Sequence, residues 1–541
     1  MSVTADSGGQ RIFLRKASGL IRTASMFDTF VFNIGLVSVG LGIGTMLFYG
    51  PPFYPGGDMA LGSIIVGIAM AFVCWGFIHW SVVLPRSGGT YVFASRILPP
   101  WAALAISFGD LVAPLFYAGI AAYWILKIGL APVFAMIGYA FGAQWALDLS
   151  VAITQPWALF IIGSGILILC ALLIASGMKL FLTVHKIVFI LSLLGSLLMI
   201  VILLFSSNEE FIAQFNALMG ASVGVPDPYN AIIESGKSLG WTTENATFST
   251  TMGVSNWAWL PMIGAAYSFA IGGEIKSVAK AQTWGMLGAV IVTTAIWVVT
   301  IWLANSVIGY DFLGTVLYNY FQLGGEGLTM PTDPSIALLT GILTGSAFWT
   351  FLLGLGIVLW MWMWLPGIQT FCVRAMVAWS FDRVAPDALG TVSQTRHTPT
   401  VAIIVTLIIE LIFLALFCFA EYFTKIVILI EAQTLAWAIT LAAGAFFPYY
   451  RSAIYQKSPL AKQTILGLPA MTVSCTLGAL ASLFYLVALW NDDVAAGHAP
   501  DQVAIVIGTF VAGAVFYFIM KAYRASKGID VSLAFKEIPI E

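Results

Sequence analysis

Long apolar runs parted by short polar turns dominate the chain. They fall near 27–50, 61–84, 101–130, 155–176, 181–205, 254–276, 285–309, 338–372, 399–420, 425–449, 466–490 and 502–522. A run of about 20 apolar residues is what an α-helix needs to cross the hydrocarbon of a bilayer. The pattern therefore predicts twelve membrane-spanning helices, spans 1 to 12, and an all-α integral membrane protein. The run at 338–372 is long for one span, and no polar turn divides it, so it is expected to be a single helix that tilts or continues past the bilayer. The connection at 206–253 is the longest and is rich in Gly, Ser, Thr and Asn. It reads as a solvated loop, and its "NAT" at Asn245 as a chance sequon.

Charge sorts by side. With the N-terminus placed in the cytoplasm and the spans alternating, the cytoplasmic segments hold all of the 23 Lys and Arg residues except Lys127, Lys237 and Lys425. The opposite loops collect acids such as Asp58, Asp148, Glu209, Glu210, Asp311 and Asp333. That asymmetry is the positive-inside pattern, and it places both termini in the cytoplasm of a multi-pass cell-membrane protein. The first 22 residues are polar and basic and lack the apolar core of a cleaved signal peptide, so span 1 is expected to stay in the mature protein. The expected layout is a cytoplasmic segment 1–26, five spans in 27–205, an extracellular loop 206–253, five spans in 254–449, spans 11 and 12 in 450–523, and a cytoplasmic tail 524–541.

Composition narrows the function. Hydrophobic residues make up 60% of the chain and charged ones 9%, where a soluble protein carries about 25% charged residues. A net charge of −2 with no basic domain gives no footing for a nucleic-acid partner. Cys74, Cys170, Cys372, Cys418 and Cys475 stand singly in apolar runs and read as buried free thiols. With four scattered histidines no metal cluster is expected, and no cofactor is implied. There is no His-Glu-x-x-His, P-loop or nucleophile elbow, so neither an enzyme nor a nucleotide-driven pump is expected. A secondary transporter, a channel or a receptor-like protein remains, with the bilayer and a small molecule as partners.

The pointer to a transporter is a pair of Gly/Pro-interrupted spans at matching places in the two halves. Span 1 carries Gly35, Gly40, Gly42 and Gly44, and span 6 carries Pro261, Gly264, Gly272 and Gly273. Such residues are tolerated at membrane depth where the freed backbone groups line a polar cavity, and half-helix N-termini there attract an anionic group such as a substrate carboxylate. Close helix packing through small residues is the competing reading.

Three segments carry a family resemblance: "GLGIGTMLFYGP" (40–51), "PRSGGTYVFASRILPP" (85–100) and "RAMVAWSFDRVAPDALGTVSQTRHTPT" (374–400). With "GGEIKSVAK" in span 6, they resemble an amino acid permease of the amino acid–polyamine–organocation superfamily, over about 27–450. The resemblance implies a leucine-transporter-type 5+5 inverted repeat with spans 1 and 6 broken at the centre and substrate held between them. It implies alternating access, with amino acids as substrate and polyamines or other organic cations as the alternative, and with Na+ or H+ coupling or exchange left open. Carried over residue by residue, the span 1 site is Ile43, Gly44, Thr45 and Met46; an alternative register puts Gly40-Leu41-Gly42 at the break. Met46 replaces a family glycine and would narrow the approach to the backbone.

In span 6, "GGEIKSV" matches a family box at the cytoplasmic end, with Val278 in place of its proline. The family's break lies about ten residues earlier, at Gly264. Depth agrees: Gly264 is 12 residues from Lys276, about 18 Å along a helix. Pro261–Gly264 is thus the expected midplane break, with Leu260, Met262, Ile263 and Ala265 lining it, and Glu274 belongs to the cytoplasmic end. Ala266 stands where the family has a buried glutamate.

Intramembrane carboxylates are functional hypotheses by default. Asp110, deep in span 3 and beside the substrate in the family, fits either the binding of a substrate ammonium or proton, or a capped structural role. Glu410 in span 9 reads as structural or oligomeric. The family's proton-carrying lysine on span 5 would fall near Ser192, where no lysine occurs. Gln369 and Thr370 in span 8 offer oxygen ligands for a coupling ion or ordinary helix contacts, and Tyr267, beside the expected break, is a gate candidate.

Overall fold

A computed structural model gives the fold, and it describes residues 20–324, 327–328, 330, 332–420 and 429–535. The basic residues Arg11, Arg15, Lys16 and Lys536, Lys425 and the first residues of predicted span 10 lie outside that set. The protein is helical almost throughout; a two-stranded hairpin pairs Thr464 with Pro469 and Ile465 with Leu468. Among the described residues, eleven helices are long and apolar enough to cross a membrane. They occupy predicted spans 1–5 and 7–12: Met26–Phe53, Met59–Val83, Pro100–Phe141, Pro156–Ala175, Met178–Leu204, Val278–Leu323, Ala347–Phe381, Thr400–Phe419, Ile430–Tyr450, Ala470–Trp490 and Pro500–Ser526.

Predicted span 6 is missing from the eleven because its α-helix is short. Phe248–Met262 is α-helical, and the chain then tightens into a 3-10 helix over Ile263–Ala270. The change falls directly after Pro261, whose missing amide leaves the carbonyl four residues earlier without its helical donor. That carbonyl belongs to Trp257, and the hydroxyl of Thr45 donates to it at 3.2 Å.

Two expectations are corrected. The run at 338–372 is two helices, Ile336–Leu343 and Ala347–Phe381. The divider is Thr344-Gly345-Ser346, where Gly345 sits at φ +57 and Thr344 Oγ1 donates to the Gly341 carbonyl at 2.7 Å. The 206–253 connection is more than loop. It forms helices Asn208–Val223 and Pro228–Ser238, the first opened by a Ser207–Glu210 capping box and the second by an Asp227 cap. Extra length also accrues at π-helical turns, Ile125–Leu130 and Asn305–Gly309, which carry spans 3 and 7 past their expected ends.

Spans 4, 5, 7, 9, 11 and 12 leave more than half of their most apolar stretch uncovered by protein, whereas span 1 is 89% and span 10 is 78% buried along theirs. The bundle therefore encloses spans 1 and 10, with spans 2, 3 and 8 mostly buried beside them, and turns the apolar faces of the remaining spans outward, as a lipid-facing shell requires.

Candidate functional site

Span 1 breaks at Ser38. Helix Met26–Val37 ends there, Ser38 adopts left-handed geometry at φ 52 and ψ 72, and a new helix runs Val39–Phe53. The Ser38 amide donates to Ile34 and Gly35 carbonyls, and its own carbonyl accepts from Leu41 and Gly42. The indole of Trp297 donates to the Val39 carbonyl at 2.9 Å. The break thus lies ahead of both sequence registers, Ile43–Met46 and Gly40–Gly42. A serine has no propensity signal for a helix break at membrane depth, so the glycines drew the register one to two turns too far along.

Gly264 is where span 6 meets that break. A Cβ at Gly264 would fall 2.2 Å from the Leu36 carbonyl oxygen and 2.6 Å from the Val37 nitrogen, so the two backbones touch with no side chain between them. Leu260, Met262, Ile263 and Ala265 are all buried at this junction. Below it, Asn33, Ser268 and Gln282 knit spans 1, 6 and 7. Asn33 Nδ2 donates to Ser268 Oγ at 2.9 Å, the Ser268 amide donates to Asn33 Oδ1 at 2.9 Å, and Gln282 Nε2 donates to the Ser268 carbonyl at 3.0 Å. Sequence reasoning missed this trio, although an Asn and a Gln inside apolar runs are a signal of interhelical hydrogen bonding.

The four span 1 candidates point different ways. Ile43 is buried towards Ser196 and Met199 of span 5. Met46 is buried and its sulfur accepts from Ser63 in span 2 at 3.2 Å, so it does not narrow an approach to the span 1 backbone as expected. Gly44 and Thr45, with Gly40, line a cleft of about 830 Å³ including its open mouth. Its other walls are the π-turn of span 3 (Trp124, Ile128, Gly129), the segment Asp333–Ala337, and span 8 at Gly354, Ile357 and Met361. Nothing lies within 4 Å of a Cβ built on Gly44, whereas one on Gly42 would strike the Trp297 ring at 2.0 Å. The cleft lies towards the end of the bundle opposite the N-terminus.

Asp110 is the hub of a second polar cluster. It accepts from Thr90 Oγ1 at 2.6 Å, Trp437 Nε1 at 2.7 Å and Gln433 Nε2 at 3.1 Å, and Gln433 Oε1 in turn accepts from Tyr267 at 2.9 Å. Tyr267 also stacks on Phe371, ring centres 4.4 Å apart. Spans 3, 6 and 10 and the Gly89–Ala94 helix are thereby joined through one 2%-exposed carboxylate held by three neutral donors. Gln369 donates to Glu410 at 2.6 Å and to the Leu167 carbonyl, and Thr370 donates to Pro366 in its own helix at 2.8 Å. Their donor groups serve span contacts. Two ionisable side chains of span 5 face span 1: Lys186, whose Nζ pairs with Asp28 at 2.8 Å, and His185, close against Gly35 with neither ring nitrogen hydrogen-bonded; Ser192 merely donates to the Val188 carbonyl.

At the N-terminal end the bundle is shut. Arg374 grips Glu274 in two parallel bonds, Nε to Oε1 at 2.6 Å and Nη2 to Oε2 at 3.0 Å, with both side chains buried. The Thr23 and Ala24 amides donate to the Glu274 carbonyl, and Lys276 donates back to Ala24. The Gly88 amide donates to Ala270, at φ +126 that only glycine adopts freely.

A closely wrapped helical bundle, with an interrupted span 1 packed on an interrupted span 6, a cleft open at one end and a buried latch at the other, has the architecture of a membrane transporter. The profile of the family described as amino acid permease matches residues 25–526, and the chain belongs to that family. No curated protein matches it. The family is one of transporters, not enzymes, and its substrates are small molecules such as amino acids.

Proposed function

We propose that this protein is a secondary active transporter of amino acids that works by alternating access in the cell membrane, as an ion-coupled symporter or an exchanger. In this reading it has twelve spans, a 5+5 inverted repeat and both termini in the cytoplasm. The cleft at Gly40, Gly44 and Thr45 is the outward route, and the Glu274–Arg374 latch is the closed inner gate. The observation that carries the reading is the Ser38–Gly264 junction. Two interrupted helices, packed backbone against backbone, supply what a carrier needs: carbonyl groups at Trp257 and Val39 that side chains serve, next to elements that can tilt.

Counterflow into liposomes is the test. Purified protein preloaded with unlabelled amino acid should accumulate the labelled form, and an imposed Na+ or H+ gradient then separates symport from exchange. Tight binding of an amino acid or polyamine with no counterflow of any would sink the transporter reading in favour of a sensor or channel. Asp110→Asn bears on coupling. An amide there can keep its oxygen on Trp437 and Gln433 and turn its NH2 to the Thr90 hydroxyl, which then accepts, so a stability loss of no more than about 1 kcal/mol is expected, read as a slightly lower Tm. Concentrative, pH-dependent uptake retained by Asp110→Asn excludes Asp110 as the essential proton carrier.

A further inference from the structure

Among the described residues, the cleft has one carboxylate on its walls, Asp333. Its lining is aliphatic and aromatic, with Phe48, Tyr49 and Trp124 among the rings, and the hydroxyls of Thr45 and Ser335 have partners of their own. Thr45 donates to Gly42 and Trp257 carbonyls, and Ser335 Oγ accepts from the Leu338 amide. Asp333 differs. It is half-buried, and burial pushes its carboxyl above the ordinary value in spite of a hydrogen bond from Tyr320 and the through-space pull of Lys127. Lys127 is not within ion-pair distance of it, and its Nζ donates to the Tyr123 hydroxyl at 2.7 Å. The titratable groups facing Asp333 are thus Tyr320, Tyr49 and Lys127.

A carboxylate in an apolar recess is poorly solvated and gains most from a cation that enters without much water of its own. Aromatic faces nearby favour the same charge. We propose that this cleft is a capture site for an ammonium group on an apolar body, with Asp333 as its counter-charge. Only the passage of a captured cation across the membrane rests on the transport reading; the binding itself stands on the cleft.

The experiment uses detergent-purified full-length protein and isothermal titration with two probes of like shape, 2-phenylethylamine and 3-phenylpropanoate. The amine should bind and the anion should not. Asp333→Asn should weaken the amine about tenfold or more, with the melting temperature reporting the fold of the variant. Gly44→Leu fills the cleft from its span 1 wall and should abolish amine binding. Lowering pH through the acid range protonates Asp333 while the amine keeps its charge, so affinity should fall in wild type and stay flat in Asp333→Asn. Equal binding of the anion, or amine affinity unchanged in either variant, overturns the proposal. Absence of counterflow with the amine still bound would instead count against transport alone.

Discussion

Glycines 44 and 264 look alike in the sequence, each in an interrupted span, yet the fold uses them in opposite ways. Gly264 is a contact: a methyl group there would sit inside van der Waals range of the Leu36 carbonyl, and backbone cannot yield as a side-chain tip does. Gly264→Ala is expected to cut folded yield severely in size-exclusion profiles. Gly44 is a space, and Gly44→Ala should fold with an unchanged melting temperature. A Gly264→Ala protein as stable as wild type would refute the close approach of the two backbones. Thr45 shows the limit of reading residues singly. Its hydroxyl completes the carbonyl that Pro261 leaves without a donor, a pairing across 212 positions that no local pattern encodes. The family's spacing back from Glu274, by contrast, brought Gly264 into view, and depth agreed because a helix advances by a fixed rise per residue. Ser38 stayed hidden, since its left-handed backbone is imposed by tertiary packing and not by its own preference.

Among the elements, the strongest tie between spans 6 and 8 is the Glu274–Arg374 pair. Removing one partner strands a buried charge and costs about 3–5 kcal/mol, while replacing both with neutral groups of like shape costs far less. Arg374→Met should therefore lower Tm sharply, and the double variant Glu274→Gln with Arg374→Met should recover much of the loss. Both should favour opening of the N-terminal end, read as faster thiol labelling of the buried Cys372 (span 8). Equal destabilisation by the single and double variants would mean that the pair does not act as a unit. Spans were legible wherever hydrophobicity alone sets a helix, because lipid leaves the backbone no alternative. Divisions within them were less so. The stop at Thr344-Gly345-Ser346 is three small residues in an apolar run, too weak a polar signal against its neighbours, and the 3-10 turn of span 6 depends on the span 1 helix beside it.

For the whole molecule, the alternation of basic and acidic loops predicts an orientation that labelling can check. Leu466, 96% exposed at the hairpin turn, and Asn245, exposed in the connection before span 6, should face opposite sides. In intact cells an impermeant thiol reagent should modify Asn245→Cys and leave Leu466→Cys untouched until the membrane is opened. The reverse pattern would invert the bundle and turn the cleft at Gly44 inward. Charge asymmetry and family motifs reveal the scaffold at this scale; they do not reveal the state, because which end is sealed depends on contacts between segments remote in sequence.

One of those contacts has a practical bearing. The backbone around Ala24 is hydrogen-bonded on both sides of Ile275, in a single parallel bridge, and this rung lies beside the ion pair that seals the same end. The beginning of the chain is therefore mechanically in series with the seal. A fusion partner joined ahead of Leu20, or any anchor that pulls there, loads the rung directly, whereas one joined beyond span 12 does not. Turnover that changes with an N-terminal fusion and not with a C-terminal one would be the signature of that pull.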